Sequence, residues 1–184
     1  MKFDPLVKSQ NHDLFLLKDN SHLEILKSNT ICDFENKNVN ELPQVSIVKI
    51  SQKDIELSLG EYNEDFLAKL RDFLKILEEN NKFTFIKAES NQEINDADSA
   101  ENFISALVHT ARRIKDATSV IGFEIPEAIL KNDKNANLDE NSYSFWFISE
   151  MNKKHSHYVY FADGDILKEL NLFEKAQNTD WIIY

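Results

Sequence analysis

The chain is poor in the residues on which disulfide-stapled folds, membrane spans and nucleic-acid surfaces depend. Cys32 is the one cysteine among 184 residues. No disulfide can form within the chain, and a reducing, cytoplasmic setting is expected. Three glycines and three prolines leave little scope for turns that require positive φ. No apolar run approaches the ~18 residues that a membrane span needs. Met1-Lys2-Phe3-Asp4-Pro5 is not followed by the apolar stretch of a secretory leader.

Basic charge is also in deficit. Lys and Arg number 21 against 32 Asp and Glu, for a formal net charge of −11. Such a field repels nucleic acid and anionic membrane. Arg112, Arg113 and Lys115 are the nearest approach to a basic stripe, and they lie in a helical stretch flanked by acids. The charge serves solubility, and it favours a protein partner with a basic surface. The motifs of P-loops, nucleophile elbows, zinc proteases and dinucleotide folds are all missing, so no cofactor and no metal are expected.

Apolar residues make up 42% of the chain. A chain of this size can bury on the order of 70% of its unfolded surface. One globular domain over 1–184 is expected, with 1–42 as an N-terminal hairpin extension. Leu14–Leu17 and Leu23–Leu26 flank a polar turn and read as that hairpin. Val45–Ile50 and Ile55–Leu59 read as a second one.

From 63 to 80, Phe66, Leu67, Leu70, Phe73, Leu74 and Leu77 recur at helical period, with Asn63 as cap and Asn80-Asn81 as stop. A second helix is expected over 99–116, its apolar face carried by Phe103, Ile104, Leu107, Val108, Ala111 and Ile114, with Asp98 and Glu101 as a capping box. Strands are expected at 82–88, 119–125 and 181–184, and short and long helices at 126–130 and 164–176. The aromatic runs 143–149 and 158–161 suggest a third hairpin, the first of them alternatively a helix. Strands alternating with helices favour parallel crossovers. The fold class is α/β or α+β, with a single mixed sheet, two long amphipathic helices and flanking hairpins.

Open α/β sheets bind ligands beyond the C-terminal ends of their strands. Five carboxylates fall there: Glu89, Glu124, Glu127, Asp163 and Asp165. If the strands are parallel neighbours, these acids can converge in a cleft. Otherwise they are solvated turn residues. His155 and His157 share one face if they lie on a strand, and a solvent-facing pair is expected. His109 is expected to pack inside its helix. Ser99, at a helix start, reads as a capping residue at which a phosphate would also be well tolerated.

The order strand, strand, helix, strand, helix, strand, short helix from Pro43 to Leu130 resembles the STAS domain of anti-sigma-factor antagonists. Leu59-Gly60-Glu61, Asp98-Ser99, Thr110-Ala111-Arg112, Val120-Ile121-Gly122 and Pro126-Glu127-Ala128 carry the likeness. The resemblance implies a regulatory protein-binding domain with Ser99 as a phosphorylated switch. Arg113-Ile114-Lys115 leading into Val120–Ile125 is also similar to the approach to the acid/base glutamate of a cellulase-type (β/α)8 barrel. Pro126-Glu127-Ala128 stands where that family has Asn-Glu-Pro, so no catalytic role is carried over. A non-catalytic regulatory or protein-binding domain is therefore expected. The alternatives are a small hydrolase-like enzyme using the strand-end carboxylates, and an acidic inhibitor or immunity protein.

Overall fold

A computed structural model describes residues 4–134 and 136–184. Three strands open the chain, β1 (Val7–Gln10), β2 (Asp13–Leu16) and β3 (His22–Leu23), followed by β4 (Thr30–Ile31) and β5 (Val45–Ser51). Next come α1 (Gln52–Ile55), β6 (Glu56–Ser58), β7 (Glu61–Tyr62), α2 (Glu64–Glu79), β8 (Phe83–Glu89) and α3 (Ala97–Ile114). The remainder is β9 (Val120–Glu124), α4 (Glu127–Leu130), α5 (Tyr143–His155), β10 (Val159–Ala162), α6 (Gly164–Glu169), α7 (Phe173–Ala176) and β11 (Ile182–Ile183).

The main sheet has six strands in the order β11-β10-β9-β8-β5-β4, and every pair in it is parallel. Spatial neighbours follow chain order, so the sheet is wound in one direction with helical crossovers. The chain is thus of the α/β type. In place of one mixed sheet, the antiparallel strands are set apart: β1-β2-β3 form their own sheet and β6-β7 a two-stranded ribbon.

The two faces of the main sheet are covered differently. Val48, Ile50, Ile86, Ala88, Phe123 and Ala162 pack against the apolar faces of the helices, including Leu70, Leu74, Phe103, Leu107, Phe147 and Leu167. The other face presents Val45, Ile47, Phe85, Ile121, Phe161 and Ile182 to Val7, Leu14, Leu16 and Leu23 of the N-terminal strands. This explains the near-continuous burial of β5, in which even Ser46 is sealed from solvent, since a parallel strand covered on both sides has no solvent-facing side. The N-terminal strands are therefore a cover for one face of the sheet, and Ile183 N–H donates to the His12 carbonyl at 3.1 Å.

The two long helices lie close to where periodicity puts them. Asn63 caps α2 by accepting from Phe66 N–H, and Asn81 at φ 53° lets Lys82 N–H reach the Leu77 carbonyl at 2.9 Å, which closes the last turn. Helix α3 begins earlier than expected, because its capping box is Asp96 with Ser99 and not Asp98 with Glu101. The hairpin expected over 45–59 does not form. Ser51 caps α1 directly after β5, and Glu56–Ser58 instead pairs with β7 across Gly60 at φ +76°.

The third expected hairpin is likewise replaced by α5 and a parallel β10. Ser144, Phe147, Met151 and His155 form the buried stripe of α5. The fully buried Asp133 accepts from Tyr143 N–H at 2.7 Å and Ser144 N–H at 2.9 Å, which fixes its start. The helix expected over 164–176 divides into α6 and α7, because Asn171 takes φ 58°. Among the described residues no helix is long and apolar enough to cross a membrane.

Candidate strand-end cleft

Strand register builds the site. Lys49 stands opposite Lys87 and Ser51 opposite Glu89 across β5 and β8. Ile86 is opposite Phe123 across β8 and β9, so Lys87 and Glu124 occupy the next position along. On β5 and β8 these side chains continue the face carrying Ile47 and Phe85, with period two. The face is apolar where the N-terminal strands cover it and charged where the strands run out.

Glu124 is only 3% exposed. One of its oxygens accepts from Lys87 Nζ at 2.9 Å, and the other accepts from the Tyr184 hydroxyl. Lys87 also lies 3.8 Å from Asp163 and 3.5 Å from the Tyr184 hydroxyl. Burial holds the Glu124 carboxyl above the ordinary carboxylate range, against the opposing pull of Lys87. Burial also raises the Tyr184 phenol, reinforced by the charge of Glu124.

A second lysine arrives from the N-terminal segment. Lys27 pairs with both Asp163 and Asp165, and its ammonium lies 5.9 Å above the Tyr184 ring. Burial works to lower the Lys27 pKa, but the hydrogen bonds to Asp163 and Asp165 outweigh it and raise it. Asp163 additionally caps α6 by accepting from Asp165 N–H at 2.9 Å.

Beside this network a cleft of about 570 Å³ opens between the ends of β8 and β9, lined by residues 87–95 together with Glu124, Glu127, Ala128, Lys131 and Asn132. Three of the five strand-end carboxylates, Glu89, Glu124 and Glu127, line it. Asp163 joins Glu124 through Lys87 but lies outside the lining, and the exposed Asp165 lies with Lys27. Glu89 pairs with Lys49 at 2.7 Å, and Glu127 with Lys131 at 2.7 Å. Each of the five acids therefore meets a lysine of the same chain.

No sequence motif marks Lys27, Lys49, Lys87 or Tyr184 as part of the site. The usable signal was Lys87 itself, the one charged residue between Phe83 and Ala88 and two positions from Glu89. Ser99 stands outside the cleft. Its hydroxyl donates to the Asp96 carbonyl at 3.0 Å and accepts from Asn95 N–H at 3.2 Å, so it braces the turn at the end of the lining segment.

Of the histidine pair, His155 is withdrawn from solvent and His157 is half-buried. His155 ends α5 and is 2% exposed, with both ring nitrogens lacking a hydrogen-bond partner. Burial pushes it down to about 4, helped by His157, Lys115 and Lys154. His109 stacks on Tyr62 with ring centroids 3.6 Å apart and contacts Glu64 at 3.0 Å, a packing role. No group of three or more metal-ligating side chains occurs among the described residues.

No family model matches the chain, and no curated protein does. Among solved structures, a GH5_18 variant from Bifidobacterium longum subsp. longum in complex with Manb1-4GlcNAc is similar at 7% identity and a TM-score of 0.48. The likeness covers 66% of this chain and 35% of that one, so this chain spans about a third of the length of that structure.

Proposed function

We propose that this chain is a non-catalytic recognition domain of regulatory character, and that its strand-end cleft receives a basic segment of a protein partner. The observation that carries this reading is the lysine partner of every strand-end carboxylate: Lys87 for Glu124, Lys49 for Glu89, Lys131 for Glu127 and Lys27 for Asp163 and Asp165. Hydrolysis by paired carboxyls needs one protonated acid and one unencumbered carboxylate across an open space. Internal ion pairs at each acid serve recognition better. An incoming Lys or Arg exchanges partners with Lys49 or Lys131 on the exposed rim, where ion pairs cost little to rearrange.

The regulatory element of the reading is Ser99. A phosphate on its hydroxyl breaks the bonds to Asp96 and Asn95 and sets a dianion beside Asp96. The turn at the end of the cleft-lining segment then reorganises. A reducing cytoplasmic setting suits the exposed free thiol of Cys32.

The test is peptide binding. Lys/Arg-rich, neutral and acidic peptides of equal length are titrated against the wild type and against Glu89→Gln/Glu93→Gln/Glu127→Gln. The basic peptides bind in low salt, release in high salt, and lose most of their affinity in the triple variant. Equal binding of neutral peptides, or an unaffected triple variant, would sink the reading.

One observation favours the hydrolase-like alternative: Glu124 is buried, held above the ordinary carboxylate range and opens on the cleft, as a general acid requires. Turnover of aryl glycosides that disappears in Glu124→Gln would replace the recognition reading with this one.

A further inference from the structure

The cleft holds a nucleophile that recognition of a basic segment leaves unused. Two lysines line it. Lys131 is 59% exposed and pairs with Glu127 at the rim. Lys87 is only 23% exposed, and its amine is set among Glu124, Asp163 and the Tyr184 hydroxyl. Glu124 bonds to Lys87 through one oxygen and to the Tyr184 hydroxyl through the other. An amine that is to attack a carbonyl must first lose a proton to a neighbour, which must later return it to the leaving oxygen. Glu124 is placed to do both, because it is in hydrogen-bond contact with the amine and is nearly sealed from water.

We propose that Lys87 captures a small, neutral, hydroxylated aldehyde or ketone in this cleft as a Schiff base, with Glu124 as the proton shuttle and Tyr184 holding the far oxygen of Glu124. The Lys87 ammonium passes one proton to Glu124, and the freed amine nitrogen adds to the carbonyl carbon. The C–N bond forms as the carbonyl π electrons move to oxygen. That oxygen takes one proton from the nitrogen and a second from Glu124, and leaves as water while the nitrogen lone pair closes the C=N bond. The product is an iminium bearing the single positive charge of the original ammonium, and Glu124 is a carboxylate again. No oxidant or reductant is consumed.

The lining selects the carbonyl class. Four carboxylates, Glu89, Glu93, Glu124 and Glu127, outnumber the two lysines of the lining and disfavour oxo acids and sugar phosphates, whereas Asn91, Gln92 and Asn95 offer hydrogen-bond partners to hydroxyl groups. Capture does not depend on the peptide-binding reading: either can fail with the other intact, because one is read by peptide titration and the other by covalent mass.

The experiment treats the whole chain with glycolaldehyde and sodium cyanoborohydride, which reduces any iminium to a stable secondary amine. Peptide mapping by mass spectrometry then measures the labelling rate at each lysine. Preorganised proton transfer predicts labelling of Lys87 roughly tenfold faster than of the more exposed Lys131. Lys87→Arg keeps the ion pair and abolishes that label, and Glu124→Gln slows it. Glyoxylate, an oxo acid that is also an aldehyde, lowers the ratio of Lys87 to Lys131 labelling relative to glycolaldehyde. Labelling of Lys87 no faster than of Lys131 overturns the proposal, and this comparison is made within the wild-type protein, so it does not require any variant to fold.

Discussion

Replacing Lys87 by methionine tests the charge logic of the strand ends most directly. Methionine keeps an unbranched chain of similar length and deletes the cation beside Glu124, which is 3% exposed. Glu124 then retains the Tyr184 hydroxyl alone, while Asp163 keeps Lys27. Removing one partner of a buried ion pair costs about 3–5 kcal/mol. Lys87 is itself 23% exposed, which places the expected loss near the lower end, ~3 kcal/mol.

For a chain of this size that corresponds to a fall of roughly 6–12 °C in melting temperature. The pH dependence has a definite sign. Burial already holds Glu124 above its ordinary pKa, and loss of Lys87 raises it further. A carboxyl whose folded pKa exceeds its unfolded pKa binds more protons in the folded state. The variant therefore regains stability as pH falls from neutrality toward the ordinary carboxylate range. Lys87→Met/Glu124→Gln, with no charge left to strand, recovers most of the loss. Urea unfolding followed by circular dichroism, at neutral and mildly acid pH, measures all three proteins. A deficit below about 1 kcal/mol, or one identical at both pH values, refutes the reasoning, since either means that Glu124 is not held as a buried charge.

Two further outcomes follow from positions away from the cleft. His155 is buried without a hydrogen-bond partner and has a folded pKa of about 4 against 6.5, so the unfolded chain binds more protons between these values. Stability from this group is complete above pH 6.5 and falls by up to ~3 kcal/mol as pH drops toward 4. His155→Phe flattens that part of the stability–pH curve, and a curve unchanged from wild type would show that His155 is not the group responsible. A Cβ added at Gly122 would lie 1.9 Å from the Val159 carbonyl oxygen and 2.9 Å from the Phe161 ring. Gly122→Ala must push β9 and β10 apart and is expected to cost at least the ~1–3 kcal/mol of core overpacking; an unmoved urea midpoint would contradict the close approach.

Local pattern was enough for some elements and not for others. Residues 63–80 announce a helix because the apolar stripe, the Asn63 cap and the Asn80-Asn81 stop agree with one another. The stretch 143–155 does not, because Tyr143, Phe145, Trp146, Phe147 and Ile148 are apolar on every side and equally suit a strand. Its helical state is fixed by Asp133, ten residues upstream, which takes up the Tyr143 and Ser144 N–H groups. The hairpin expected over 45–59 failed for a related reason: β5 is covered on both faces by segments distant in sequence, so it needs no antiparallel neighbour.

By itself the sequence determined an acidic chain without an internal disulfide, the two long amphipathic helices and the placement of Glu89, Glu124 and Asp163 at or beyond strand ends. Alternation of strand and helix is enough to put them there. Only the tertiary structure decided that β5, β8, β9 and β10 are consecutive parallel neighbours. That register aligns Lys49 with Lys87 and sets Lys87 beside Glu124, and the N-terminal segment contributes Lys27 from 136 residues away. Which acids meet which lysines depends on strand order and on pairings remote in the chain, and no local periodicity encodes either.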